Sequence, residues 1–340
     1  MTLPGLDLNV LRRVLAQHVD VVGDLRGEPI AGGKSNLTYR VSDDRSVWVV
    51  RRPPTAGLTP SAHDIAREFR VMSALRDSEV PVAPVVMLCT DTSLIGAPFS
   101  VVGYVDGRAL RLRSDLDALP DVDVDRCTEA LVNVLVALHA LVPDDVGLSD
   151  FGRGGYLERQ VALWRRQWSL VHRDPTPDVD RLYKRLTDRV PSERRLSVVH
   201  GDYRIDNTLL DNDDAGTIRA VVDWELSTLG DSRADLAMSC VYRHPAFDHV
   251  MGEPAASASP RMPSAELLAE RYSMVAGDDL GDWSFYLALA YFKLGVIAEG
   301  IRHRHSKGVT SGTGLAQAGR AVPVLMAAGL AALNTTSRST

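Results

Sequence analysis

The sequence predicts an α+β chain in two parts, a small β-rich N-terminal lobe and a larger, mainly helical C-terminal lobe. Three observations predict it. Two alternating runs of β-branched and aromatic residues, "LTYRV" (37–41) and "SVWVV" (46–50), flank the turn "SDDR" and form a hairpin. One amphipathic helix and two more extended segments follow before Asp106. Beyond "DGR" (106–108) the periodicity becomes helical and largely stays so. The 340 residues are 45% hydrophobic, enough apolar mass for two cores.

The elements are read in order. Leu8, Leu11, Val14 and Leu15 share one face of a helix over 7–19. A glycine-containing loop, "IAGGKSN" (30–36), leads into the hairpin, and Pro53 and Pro54 stop its second strand. Ser61 is the expected cap of the next helix, with Ile65, Phe69, Met72 and Leu75 as its apolar stripe and Glu68 at the stripe's edge. "PVAPVVMLC" (81–89) and "PFSVVGYVDG" (98–107) read as extended, so residues 1–106 run strand, strand, helix, strand, strand. Helical patterning covers 127–142, 156–173, 178–190, 264–276 and 282–304, and short strands fall near 197–200, 208–211 and 217–222. "GEPAASASPRMPS" (252–264) reads as a mobile loop and "NTTSRST" as a frayed tail. The expected boundary separates residues 1–106 from 107–340.

Composition excludes several classes. A net charge of −6 leaves no electrostatic footprint for nucleic acid. Cys89, Cys127 and Cys240 lie far apart without a C-x-x-C pair, which argues against a disulfide framework or a zinc site and fits a cytoplasmic setting. No basic region followed by an apolar run opens the chain, so no signal peptide is expected. The nearest thing to a membrane span is 131–142, which is too short and reads as a buried core helix. No P-loop occurs, and "GTGLAQAG" (312–319) has the wrong spacing for a dinucleotide fingerprint. Monomer and homodimer stay open.

The chemistry concentrates in "VVHGDYRIDNTLLD" (198–211). "TLLD", a five-residue turn and "TIRAVVD" form a second hairpin, which lays its outer ends side by side. Asn207 and Asp223 occupy those ends, and Asp202 lies just upstream. Oxygen donors of this kind suit magnesium, which is usually held by one or two carboxylates together with substrate phosphates. A further carboxylate that orients a hydroxyl completes the parts that phosphoryl transfer requires.

These residues carry a resemblance. "HGDYRIDN" (200–207) resembles the catalytic loop of the aminoglycoside phosphotransferase and choline kinase superfamily, distant relatives of protein kinases: His200, Asp202 and Asn207 match the spacing of histidine, aspartate and asparagine. "VVDWE" (221–225) resembles the metal-binding segment that replaces D-F-G, and "GDSRADLA" (230–237) resembles the stretch that follows it. "GGKSNLTYRV", "RRPP", "SAHDIAREFRVMSAL" and "FKLGVIAEGIRHRHSKG" are similar to bacterial phosphotransferases related to the kinase-like portion of some acyl-CoA dehydrogenases. The resemblance implies a protein-kinase-like bilobal fold, ATP or GTP with Mg2+ as cofactors, and a small-molecule acceptor.

It also implies roles. Asp202 is the catalytic base or the group that orients the acceptor, and Asn207 and Asp223 are the metal ligands. His200, Asp231 and Asp235 are structural. Glu68 pairs with a cation on "VWVVRR", where arginine replaces the kinase lysine. Alignment points to Arg51, and strand alternation places Arg52 on the opposite face. Gly32, Gly33, Ser35 and Asn36 are expected to cover nucleotide phosphates, and the main chain of Gly103, Tyr104 and Val105 to meet the adenine edge at the interlobe hinge. For the acceptor, residues from 241 onward hold nine Lys or Arg against eight Asp or Glu, a poor match to a polycationic drug. "GIRHRHSKG" (300–308) offers Arg302 and Arg304 to an anionic acceptor such as a hydroxy acid or acyl-CoA-like compound. A solvated helix end, with cations at the negative pole of the dipole, is the other reading of that stretch.

Overall fold

The computed structural model describes residues 3–30, 36–55, 64–172, 175–308 and 314–334. Gly32, Gly33, Ser35 and Ser61 lie outside the described residues. The fold is kinase-like: a small antiparallel sheet with few helices first, then a mainly helical part. Two compact units are present, Met1–Gly107 with Arg219–Ser227, and Arg108–Ile218 with Thr228–Thr340.

In the first unit, α1 (Leu8–Leu15) is capped by Asp7, whose carboxylate accepts from the N–H groups of Asn9 and Val10. The strands β1 (Arg26–Pro29), β2 (Leu37–Ser42) and β3 (Val47–Arg52) come next, then α2 (Ile65–Leu75), β4 (Val85–Cys89), α3 (Thr92–Ile95) and β5 (Phe99–Gly103). They make one antiparallel sheet in the order β1-β2-β3-β5-β4. The first of these strands, "RGEP", lacks apolar alternation and was not expected. Parity along the strands sorts the side chains: Trp48, Val50 and Arg52 are buried, and Trp48 and Val50 join Tyr39, Val41, Phe99 and Leu11 in one core. Arg51 points the other way, toward α2.

The expected stripe of α2 needs correction. Ile65, Glu68, Val71, Met72 and Leu75 are buried, whereas Phe69 is only partly so. Glu68 therefore sits on the packed face, not at its edge. The helix begins at Asp64, whose carboxylate accepts from the Arg67 N–H.

The second unit holds α4 (Arg113–Asp117), α5 (Asp121–Ala140), α6 (Tyr156–Val171) and α7 (Pro177–Thr187). Strands β6 (Ser197–Val199) and β7 (Thr208–Leu210) follow, and β8 (Ile218–Val221) carries the chain across into the first unit. After β9 (Thr228–Gly230) come α8 (Ser232–Val241), α9 (Phe247–Met251), α10 (Ala265–Ala276), α11 (Trp283–Ser306) and α12 (Ala321–Ala332). Leu182, Met238, Phe285, Phe292, Val296 and Leu325 pack into its main core.

Two expectations fail here. Residues 252–264 are not a mobile loop: Ala256 and Ser259 have no exposed surface, the Ala256 N–H donates to the Arg111 carbonyl (2.9 Å), and Arg243 donates to the carbonyls of Ser259 and Pro263 (both 2.7 Å). Its small residues permit close packing rather than marking disorder. Nor is 131–142 the nearest approach to a membrane span. α11 and the run Leu315–Ala332 are each long and apolar enough by composition, and 67% of the α11 window is buried inside the fold.

Phe292 has no exposed surface. Phe292→Ala is expected to destabilise the second unit by about 3–5 kcal/mol, read as a lower denaturation midpoint in urea.

Candidate active site

Two clusters of functional side chains are built separately. In the first unit the alternation of β3 directs Arg51 at α2, where its Nη1 lies 2.6 Å from Glu68 Oε1. Its Nη2 lies 3.5 Å from Asp223 Oδ1. Arg52, on the other face, is consumed by the carbonyls of Gly5, Pro53 and Ile95. The choice between the two arginines is thereby made by geometry.

Asp223 has φ +67°, in the left-handed region that aspartate tolerates better than most residues. Directly after it, Trp224 is fully buried, and its backbone N–H donates to Glu68. The turn is held to α2 a second time by Arg67, whose Nε and Nη2 donate to the Ser227 carbonyl (3.2 and 3.1 Å). Burial pushes the Glu68 carboxyl up to about 7; Arg51 opposes the shift, while Asp223 and Glu225 add to it.

In the second unit β6 leads directly to His200, and β9, its antiparallel partner, leads to Asp231. Asp231 caps α8, accepting from the Arg233 N–H (3.0 Å) and from the Tyr286 hydroxyl (2.9 Å). One turn along α8, Asp235 accepts from the backbone N–H groups of His200 (2.7 Å) and Gly201 (2.8 Å). His139 at the end of α5 adds a third contact to Asp235 at 3.2 Å and a fourth group, Tyr272, bonds the other ring nitrogen at 2.8 Å. Burial works to raise the Asp235 carboxyl, but these donors hold it below the ordinary value. His200 is fully buried beneath the loop, and Gly201 has φ +84°, a conformation that glycine adopts without strain.

Asp202 is thus presented on a braced loop. Its Oδ1 accepts from the Tyr242 hydroxyl (2.5 Å) and Arg204 Nε (3.1 Å), and its Oδ2 accepts from Asn207 Nδ2 (3.1 Å). Burial works to raise its carboxyl, yet Arg204, Tyr242, His200 and Lys293 together hold it below the usual range. It is ionised and oriented, suited to accept a hydrogen bond from a hydroxyl. Arg204 also pairs with Asp206 and lies over the rings of Tyr242 and Phe247.

Each unit offers an oxygen donor of the kind a hard cation takes. Asn207 is buried and spends its Nδ2 on the carbonyl and carboxylate of Asp202, which leaves Oδ1 for a cation. Asp223 offers a partly exposed carboxylate. Among the described residues no group of three His, Cys, Asp or Glu side chains is arranged to hold a metal ion.

The remaining expected residues divide. Asn36 is buried at the start of β2. The Gly103 N–H donates to the Pro84 carbonyl and the Tyr104 N–H to the Val47 carbonyl, so these two donors are already used. Arg302 is exposed, and its Nε and Nη2 donate to Glu299 at 2.8 and 2.5 Å, while Glu299 also holds His172. Arg304 is exposed near the C-terminal end of α11. Sequence reasoning missed Arg204, Tyr242, His139 and Lys293. A lone lysine inside the apolar run "YFKLGV" was the one legible signal among them.

Residues 26–268 match the model of the phosphotransferase enzyme family, APH. The chain belongs to this family. Its relatives include acyl-CoA dehydrogenase family member 11 of Homo sapiens, 33% identical over 315 residues that make up 90% of this chain and 40% of that protein. Family member 10 of Mus musculus is 34% identical over 296 residues, 85% of this chain and 27% of that protein. The chain therefore spans well under half the length of these relatives. A crystal structure from Ralstonia eutropha JMP134, assigned provisionally as an aminoglycoside phosphotransferase, is 32% identical with a TM-score of 0.83, covering 96% of this chain and 98% of that one. The aminoglycoside phosphotransferase APH(4)-Ia shares the fold at 15% identity and a TM-score of 0.63, over 95% and 98% of the two chains, in a complex with ADP and hygromycin B.

Asp235→Ala leaves two loop N–H groups without an acceptor and is expected to cost about 3–5 kcal/mol, with faster amide exchange at His200 and Gly201. Because the folded chain holds the Glu68 proton up to about pH 7, it binds more proton than the unfolded chain between the ordinary glutamate value and 7. Stability falls as pH rises through that window, and Glu68→Gln is expected to flatten this slope in denaturation midpoints measured from pH 5 to 8.

Proposed function

We propose that this family member is a magnesium- and nucleoside-triphosphate-dependent O-phosphotransferase acting on a hydroxyl of a small cytoplasmic metabolite, a hydroxy acid or acyl-CoA-like compound. Residues 1–106 serve the nucleotide and 107–340 the catalysis and acceptor. Arg51, oriented by Glu68, contacts the phosphates. Asn207 and Asp223 hold the metal, which supplies charge neutralisation at the phosphates when bound.

The observation that carries the reading is the Asp202 clamp. A carboxylate kept ionised by Arg204 and Tyr242, and tied to Asn207, accepts the acceptor's O–H. The acceptor oxygen forms a bond to the γ-phosphorus, the bond to the bridging oxygen breaks, the diphosphate leaves, and the hydroxyl proton passes to Asp202. Relatives named as acyl-CoA dehydrogenases favour an acyl metabolite, and the near-neutral balance beyond residue 241 favours it over an aminoglycoside. Complexes of distant neighbours with hygromycin B and kanamycin make drug phosphorylation the second arm of the test.

The test is release of ADP or GDP by the purified chain across hydroxy acids, hydroxyacyl-CoA esters and aminoglycosides. Turnover confined to the acyl compounds is expected; turnover confined to aminoglycosides overturns the acceptor class, and none with any acceptor overturns the enzymatic reading. Asp202→Asn is expected to lower turnover by roughly 10²–10⁴ with nucleotide affinity retained in calorimetric titration.

A further inference from the structure

α11 places one ammonium against the catalytic loop. Lys293 lies between the buried Phe292 and Leu294, and its Nζ donates to the Gly201 carbonyl at 3.0 Å. The ring of Trp164 on α6 is 5.5 Å away. These two groups are its close partners among the described residues, and neither is a counter-ion. An ammonium carries three N–H donors, and the Gly201 carbonyl takes one.

The surrounding charges are otherwise matched. Asp202 is balanced by Arg204, and Asp235 is occupied by the N–H groups of His200 and Gly201 and by His139. Both carboxylates attract Lys293 from beyond ion-pair distance, while burial works against its charge. Keeping a partly buried cation without a counter-ion is costly, and an apolar side chain would pack at this position of the helix. Two other cations on these elements do have carboxylate partners: Arg204 pairs with Asp202 and Asp206, and Arg302 with Glu299.

We infer that Lys293 is the anion anchor of the acceptor subsite, binding a carboxylate or phosphate of the molecule whose hydroxyl is presented to Asp202. The inference rests on the reading of Asp202 given above. It places the recognition of an anionic acceptor on the middle of α11, beyond the stretch 26–268 matched by the family, rather than on Arg302 and Arg304. Because Gly201 immediately precedes Asp202, an anion on Nζ and a hydroxyl at Asp202 belong to one small molecule that carries both groups.

Trp164 supplies a readout that needs no turnover. The full-length chain is titrated with inorganic phosphate, with 3-hydroxybutyrate and with its neutral analogue 3-hydroxybutyramide, each to about 10 mM, while tryptophan fluorescence is followed. A saturable change with at least one anion, absent with the amide and abolished by Trp164→Phe, is expected. Lys293→Met is expected to weaken the anion response by about tenfold to a hundredfold, and Lys293→Arg to retain it. An equal response to the amide, an unchanged response in Lys293→Met, or no response to either anion in the wild type overturns the inference. Should Lys293→Met fail to fold, the wild-type comparison of acid with amide decides. Failure of the phosphotransferase reading is seen separately, in nucleotide hydrolysis and acceptor turnover.

Discussion

The carboxylate of Asp235 is the constraint on which the loop 200–207 depends. It is buried and charged, and it accepts from two consecutive backbone N–H groups, those of His200 and Gly201. A charged acceptor in a low-dielectric setting binds such donors more strongly than a neutral one and fixes both peptide planes. Gly201 then turns the chain through a positive φ, and Asp202 emerges in a defined direction. Asp231, one turn earlier, fixes the start of the helix that carries Asp235. The loop thus shares the rigidity of α8.

A second constraint acts in the sheet. Two adjacent arginines on β3 have opposite fates because successive side chains face opposite sides. Arg52 becomes a structural cation bound to carbonyls, and Arg51 joins Glu68 and Asp223. Three carboxylates, counting Glu225, surround one guanidinium there, and burial first, then the charges of Asp223 and Glu225, raise Glu68 against the pull of Arg51.

Much of the fold was legible. The hairpin of β2 and β3, the helices α5, α6, α7, α10 and α11, and the passage from sheet to helix near residue 107 each follow from periodicity over long segments. Strands β1 and β9 were not, since four and three residues without alternation carry no pattern. α12 was missed because it is apolar on nearly all sides, so no amphipathic stripe marks it. Residues 252–264 misled because glycine, proline and serine describe a tightly packed turn as well as a loose one.

The sequence by itself determined the family pattern: the spacing of His200, Asp202 and Asn207 is local, and a local pattern survives without knowledge of packing. It also determined that only one of Arg51 and Arg52 could face α2, since parity is a property of the strand. Only the tertiary structure decided what surrounds them. Tyr242 stands 40 residues from Asp202 in sequence, and Lys293 stands 92 from Gly201. No periodicity reports contacts at such separations, because they arise where helices cross and not where residues repeat. For the same reason the pairing of Arg302 with Glu299 and of Glu299 with His172, 127 residues away, was not legible in the sequence.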